Sequence, residues 1–192
     1  GLAAAGGAVL LGSCRSLEES PQKHTRWAFA SDTHIAGDPE NNYRGFYPYR
    51  NLQATVEQIA AEMPEGLVVT GDLARLTGQA EDYRNLRDLL GPVTGQRPIC
   101  LALGNHEFDR GPGLLGEALE QTAFVTLCSD LAVEGTALEG SCQPILLRQY
   151  GPVRIGFFSL MTPEFPHVTN HGNVKLIGDP FTVAEKLSLI HI

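Results

Sequence analysis

Three apolar segments of this chain each end in a short polar motif. The segments Trp27–Ala30, Leu67–Thr70 and Ile99–Leu103 run into Ser31–His34, Gly71–Asp72 and Gly104–Asp109. Apolar runs without polar alternation predict strands that are buried on both faces, as in a parallel sheet. Ligand sites of such sheets lie beyond the carboxyl ends of the strands, so the polar side chains should converge there. The residues expected to meet are Asp32, His34, Asp72, Asn105 and His106.

Helical spacing appears between these segments. Leu52, Val56, Ile59 and Met63 recur at helical intervals, which predicts an amphipathic helix over residues 50–63 that Pro64 ends. Further helices are predicted over residues 80–90, with Tyr83, Leu86 and Leu90 inward and a stop at Gly91–Pro92, and over residues 113–122. Strands that alternate with helices predict an α/β fold with a parallel sheet and right-handed crossovers.

The pattern changes after the third helix. Residues 123–128, 144–150 and 153–160 are predicted strands, and Gly151–Pro152 is typical of a hairpin turn. We expect these strands to form a second sheet against the first. A chain of 192 residues supports one good core, so a single domain is expected.

The net charge of the chain and the residue types in the expected cluster indicate its class of function. The formal net charge of -8 argues against nucleic acid as a partner. The expected cluster combines two carboxylates, an imidazole and an amide, which is a mixed oxygen and nitrogen site for a divalent metal. Bound metal would also give an acidic protein the local positive charge that a phosphate group requires.

The amino-terminal segment resembles an export signal. Residues 1–14 are small and apolar, and Leu11-Gly-Ser-Cys14 resembles a bacterial lipobox, in which the cysteine is lipidated. This predicts a periplasmic or cell-surface protein with a lipid anchor at Cys14. Residues 15–25 would then be a tether. The alternative is that residues 1–14 are a disordered Ala/Gly terminus. Cys128 and Cys142 would pair in an exported protein, or stay as two free thiols, while Cys100 is predicted to be buried.

The three motifs, in this order and each after a predicted strand, resemble those of the calcineurin-like metallophosphoesterases. The resemblance covers residues 26 to about 186. It implies an αββα sandwich fold that is incomplete here at the C-terminus. It also implies an enzyme that hydrolyses phosphate esters with two divalent metal ions and an attacking hydroxide. By motif, Asp32 and His34 would bind the first metal, Asp72 would bridge the pair and Asn105 would bind the second. His106 would protonate the leaving oxygen or stabilise its charge, and Asp109 would orient His106. Glu107 and Asp109 could also be ordinary surface carboxylates, and His167 and His171 are expected to be solvated.

Different segments of the chain resemble different subfamilies of this family. The segments Asn105–Pro112, Val153–Val174 and Gly178–Pro180 resemble bacterial 5'-nucleotidases of the UDP-sugar hydrolase type, which implies nucleoside 5'-monophosphates or related nucleotides as substrates. Ser31–Ile35 and Gly71–Tyr83 resemble the cyclic-nucleotide phosphodiesterases, which are the alternative. A third hypothesis is an exported binding or scaffold protein with a vestigial metal site. In the long loop over residues 37–49, Tyr43, Arg44 and Tyr47 are candidate substrate contacts.

The carboxyl-terminal residues suggest a fragment. The family completes its metal sites with a histidine and a Gly-His-x-His segment farther along the chain, and this sequence contains neither. Residues 187–192 resemble the translation of a sequencing adapter, so His191 is not counted as a ligand. The chain by itself is therefore expected to be inactive.

Overall fold

A parallel four-stranded sheet lies at the centre of the fold. The computed structural model describes residues 25–75, 78–95 and 97–189. Its strands are β1 (Trp27–Ser31), β2 (Gly66–Thr70), β3 (Ile99–Ala102) and β4 (Val125–Leu127). They lie in the order β1-β2-β3-β4, and all three neighbouring pairs are parallel.

Helices connect consecutive strands of this sheet. They are α1 (Pro48–Ala61), α2 (Ala80–Thr94) and α3 (Pro112–Glu120). Leu52 and Val56 of α1 and Tyr83, Leu86 and Leu90 of α2 are buried, as the spacing predicts. Met63 is 68% exposed, because it lies beyond the end of α1.

Three predictions about helix and strand ends are wrong. The first helix, predicted to run to Met63, ends at Ala61. The helix predicted to stop at Gly91–Pro92 continues through Pro92 to Thr94, because the buried Val93 packs its last turn onto the core. The predicted strand 153–160 is shorter, since β7 (Val153–Phe157) ends before Phe158. The hairpin at Gly151–Pro152 is confirmed: β7 pairs with β6 (Leu146–Tyr150) in antiparallel register.

Residues 123–128 were predicted to join the second sheet, and this is wrong. β4 instead extends the first sheet beside β3, with Leu101 opposite Thr126. Leu127 is buried on the face that also carries Val68 and Cys100. The apolar pattern of a short strand does not reveal which neighbour it pairs with, so this choice depends on tertiary packing.

The two faces of the sheet have different covers. Leu67, Val69 and Leu101 pack with the helices in the main core. Val68 and Cys100 face the other way and pack with Leu146 of the hairpin. A short 3₁₀ helix (His106–Phe108) lies between β3 and α3. A two-stranded pair of β5 (Leu131–Ala132) and β8 (Lys175–Leu176), which the sequence did not predict, and the helices α4 (Phe165–Val168) and α5 (Pro180–Leu189) complete the described elements.

The described part of the chain has no helix that is both long enough and apolar enough to cross a bilayer. The predicted signal segment, Cys14 and His191 lie outside the described residues. Cys100 is buried, as predicted, and burial raises its pKa to about 11, which leaves the thiol protonated and unreactive at neutral pH.

Candidate metal centre

The loop that follows β1 has an unusual backbone. Asp32 and His34 both adopt left-handed conformations, with φ of 52° and 45°. Their N–H groups donate to the carbonyls of Thr70 at 2.9 Å and Asp72 at 3.1 Å, so the loop after β1 is tied to the end of β2. Left-handed backbone costs about 1–3 kcal/mol per non-glycine residue and is concentrated at functional sites. The strained loop thus carries two potential metal ligands, Asp32 and His34, two positions apart.

Asp32, His34 and Asp72 come together as the sequence predicts. Each offers one donor atom, and these atoms all lie within 4.8 Å of one another. The backbone N–H of Asp72 also donates to Asp32 Oδ1 at 3.4 Å, a long contact that keeps the two carboxylates adjacent. Two carboxylates and an imidazole at this spacing match the ligands of a divalent transition metal. The donor set therefore fits a metal ion.

Two glycines make this approach of side chains to backbone possible. A Cβ at Gly71 would lie 2.5 Å from Asp32 Oδ1, and Gly71 has a φ of 69° that disfavours other residues. A Cβ at Gly104 would lie 2.8 Å from Asp72 Oδ1 and 2.9 Å from Glu107 Oε2. Both glycines are thus required by the space beside the candidate ligands.

His106 lies at the edge of the cluster and is held by Asp109. His106 Nδ1 is 2.9 Å from Asp109 Oδ2, and its Nε2 is 3.9 Å from Asp72 Oδ2. The hydrogen bond to Asp109, together with the nearby carboxylates, raises the pKa of His106 above its ordinary value against an opposing effect of burial. The contact gives Asp109 a specific partner at the edge of the cluster.

The alternative of a surface carboxylate is wrong for Glu107. This side chain is 1% exposed and accepts N–H bonds from Leu73 at 2.7 Å, Ala74 at 3.3 Å and Gly104 at 2.6 Å. Burial raises its pKa to about 7, although the three N–H donors oppose that shift. Glu107 therefore joins the loop after β2, which carries Asp72, to the loop after β3, which carries Asn105.

Glu107 is a residue that the sequence analysis missed. A charged residue inside a polar motif gives no sign of burial, and two of the three N–H groups that bind its carboxylate lie 33 and 34 positions away in the chain. The only available signal was its neighbour Phe108, an apolar residue that is fully buried.

Asn105 lies at a cavity between the ends of the central strands and the segment after β7. The cavity has a volume of about 360 Å³. Gly71 and Gly104 line it together with Asn105, and residues 158–162 form its other wall. Asn105 therefore occupies the side of the site that faces the second layer of the fold.

The remaining candidate residues lie farther from the cluster. Tyr43 lines a separate pocket beside His34, Arg44 stacks on the Tyr43 ring at 5.0 Å, and the Tyr47 ring contacts Arg50 at 4.9 Å. His167 is exposed, and His171 Nδ1 is 2.8 Å from the carbonyl of Val174. Neither histidine belongs to the cluster of potential metal ligands.

Comparison with known proteins agrees with this geometry. The family model described as calcineurin-like phosphoesterase matches residues 25–180. The chain belongs to the calcineurin-like phosphoesterase family. The predicted family and α/β fold class are thereby confirmed, and membership implies that the site binds divalent metal ions.

Relatives within this family are 5'-nucleotidases. The chain is 30% identical over 95 residues to a snake venom 5'-nucleotidase of Naja atra, which covers 47% of this chain and 18% of the relative. It is 28% identical over 90 residues to the 5'-nucleotidase of Bos taurus, covering 45% of this chain and 16% of the relative. The chain thus spans less than one fifth of the length of these relatives.

Solved structures show the same phosphoesterase fold. The 5'-nucleotidase precursor from Thermus thermophilus superposes with a TM-score of 0.66 at 25% identity, over 86% of this chain and 34% of that one. The NAD nucleotidase of Haemophilus influenzae has a TM-score of 0.64 at 17% identity, over 86% of this chain and 35% of that one, and shows the fold alone. The described residues correspond to about a third of each structure.

Proposed function

We propose that the protein hydrolyses nucleoside 5'-monophosphates or related nucleotide esters in a metal-dependent reaction. The observation that supports this most directly is the cluster of Asp32, His34 and Asp72, with donor atoms within 4.8 Å and His106 at its edge. The 5'-nucleotidase relatives support the class of substrate.

The proposed metal ligands divide between two divalent ions. Asp32 and His34 would hold the first ion, Asp72 would bridge the two, and Asn105 would hold the second. Bound metal would neutralise charge on the phosphate oxygens and lower the pKa of water. The strained loop after β1 and the Glu107 contacts would keep the ligands in place before metal binds.

His106 is the proposed proton donor to the leaving oxygen. Its Nδ1 is engaged by Asp109, so Nε2 is the ring atom that can donate a proton to substrate. Asp109 would fix the tautomer and the ring orientation, and it would stabilise the imidazolium form. Asp109 would therefore act on the reaction through His106.

A panel of substrates tests the proposal. The protein translated from the complete coding sequence should release phosphate from AMP in the presence of Mn²⁺ and lose this activity when the metal is removed by a chelator. Cleavage of cyclic nucleotides without phosphate release from AMP would move the assignment to the phosphodiesterase branch. No turnover of any phosphate ester after metal loading would favour a binding protein with a vestigial site.

Two substitutions separate the roles of the carboxylates. Asp72→Asn should lower both activity and bound metal, because the bridging position would lose its charge, whereas Asp109→Asn should lower activity and retain metal. Metal content is measured by inductively coupled plasma mass spectrometry. Equal loss of metal in the two variants would contradict the assigned roles.

Export and a lipid anchor at Cys14 also remain proposals. Cys128 and Cys142 form a disulfide, with Cα atoms 5.6 Å apart, which resolves the two alternatives for these cysteines and supports an oxidising compartment. Mass spectrometry of the protein expressed with its complete signal should find lipid on Cys14. An unmodified Cys14 on an uncleaved chain would refute the anchor.

A further inference from the structure

A pocket adjoins the candidate metal centre on the side of the loop between β1 and α1. Its volume is about 420 Å³, and its lining side chains are His34, Tyr43, Phe46, Pro48 and Arg75. His34 belongs both to this pocket and to the cluster of potential metal ligands. A molecule whose phosphate lies at the cluster can therefore extend into this pocket.

Two aromatic rings of the pocket are presented by a tight turn. Tyr43 and Phe46 exchange backbone hydrogen bonds of 2.9 and 3.0 Å across Arg44 and Gly45, whose φ values of 54° and 86° are those of a type I′ hairpin turn. Directly opposed residues of such a pair project to the same side, so the two rings are neighbours on one face of the turn. The hydrogen bonds fix this arrangement without a ligand.

Both rings are more than half exposed to solvent, although Arg44 lies over the Tyr43 ring at 5.0 Å. Tyr43 and Phe46 are each 56% exposed, although they are large aromatic side chains in the folded loop. Exposed aromatic pairs that line a concave surface are typical of binding sites. Their exposure therefore indicates a surface that a ligand would cover.

Arg75 adds a positive charge to the pocket beside the Tyr43 ring. The Arg75 guanidinium lies 5.6 Å from the centre of the Tyr43 ring, and Arg75 also donates to the side-chain oxygen of Asn41. These contacts orient Arg75 at the pocket. Aromatic rings combined with an arginine plane are the side chains on which nucleobases stack.

We propose that this pocket binds the planar aromatic part of the phosphate ester, with Tyr43 and Phe46 as stacking residues and Arg75 beside them. The inference rests on the proposed function, because it places the phosphate of the same molecule at the metal cluster. The pocket would select esters with an aromatic ring, a nucleobase or an aryl group, over aliphatic phosphates of similar charge.

Kinetics of the protein translated from the complete coding sequence, with two matched substrates, test the pocket. AMP and ribose 5-phosphate carry the same phosphate and sugar, and AMP adds the base. Phe46→Ala should raise the KM for AMP about tenfold more than the KM for ribose 5-phosphate, since stacking on a ring stabilises a base by that order. Phe46→Trp, which keeps a ring, should retain the preference, and Phe181→Ala, at a helix residue that is 82% exposed, is the matched control.

A third substrate shows whether the pocket prefers a nucleobase or accepts any aromatic group. An equal selective loss with 4-nitrophenyl phosphate would show that the pocket accepts any aromatic group, and a loss with AMP alone would assign it to nucleobases. If Phe46→Ala changes the KM values for all three esters by the same factor relative to wild type, the proposal is wrong.

Binding without turnover separates this inference from the proposed function. Adenosine has the base and no phosphate, so ligand-observed NMR of the metal-free protein reports on the pocket alone. We expect binding of adenosine that weakens in Tyr43→Ala and Phe46→Ala and no binding of ribose. If adenosine does not bind wild type, or binds both variants as tightly as wild type, the pocket assignment is wrong. If adenosine binds as expected but the protein has no phosphatase activity, only the proposed function is wrong.

Discussion

At the scale of single residues, the loops that carry the candidate ligands are held by buried contacts. Glu107 accepts three N–H groups from two different loops, and Gly104 leaves space for Asp72 Oδ1. Neither residue is a proposed ligand. Both instead fix where Asp72 and Asn105 lie, so substitutions here should change metal binding at a distance.

Removal of the Glu107 side chain should destabilise the protein. Glu107→Ala leaves the N–H groups of Leu73, Ala74 and Gly104 without their acceptor, and each unsatisfied buried donor costs about 1–3 kcal/mol. We expect the free energy of unfolding in urea to fall by about 3 kcal/mol or more. The exposed Glu117 provides the control Glu117→Ala, and equal stability of the two variants would contradict the role of Glu107.

Gly104→Ala should disturb the metal centre specifically. The new Cβ would lie 2.8 Å from Asp72 Oδ1 and 2.9 Å from the carbonyl carbon of Gly71, so a backbone or a ligand must shift. Titration calorimetry with Mn²⁺ should show affinity reduced roughly tenfold or more. Gly113→Ala is the matched control, because a Cβ at Gly113 meets nothing within 4 Å.

At the scale of elements, the connection between β4 and the segment after β7 depends on a polar corner and a disulfide. Ser129 Oγ accepts the N–H of Ser159 at 2.9 Å, and Asp130 accepts the N–H of Met161 at 2.8 Å. Cys128 is bonded to Cys142 in the connection that leads to the hairpin. These contacts place residues 158–162 over the cavity that Asn105 lines.

Loss of the disulfide should weaken the fold. Cys128→Ser combined with Cys142→Ser removes a cross-link between residues 14 positions apart, which stabilises a folded chain by about 3 kcal/mol. The urea midpoint should fall, and wild-type protein in a reducing agent should show a similar decrease. A reducing agent that lowers the midpoint of the double variant equally would show that another effect is responsible.

At the scale of the whole molecule, the described residues cover the two faces of the sheet unequally. Within residues 25–75, 78–95 and 97–189, the helices cover one face, whereas the hairpin covers only part of the other. Phe29 lies opposite Val68 in the register, yet it is 68% exposed while Val68 is buried. This leaves apolar surface at the edge strand β1, where a neighbouring molecule can associate.

The 192-residue polypeptide should therefore self-associate. Its net charge of -8 opposes association, so salt should promote it by screening the repulsion. Sedimentation velocity should show larger species for wild type and fewer for Phe29→Lys. Phe181→Lys, at an exposed position on α5, should behave like wild type, and a monomer at all salt concentrations would contradict the prediction.

The sequence by itself determined the first three strands of the parallel sheet, the helices between them and the meeting of Asp32, His34 and Asp72. Uniform apolar runs are a local property, and parallel strands always bring their carboxyl ends to one edge. For this reason the positions of these ligands could be predicted without coordinates.

Tertiary structure alone decided the rest. The partner of β4, the burial of Glu107 and the pocket of Tyr43, Phe46 and Arg75 depend on contacts between residues distant in the chain. A strand pattern does not encode its neighbour, and a carboxylate shows no sign of burial until backbone donors from another loop surround it. These features were fixed by packing, where the burial of apolar surface selects one of several arrangements that the local sequence permits.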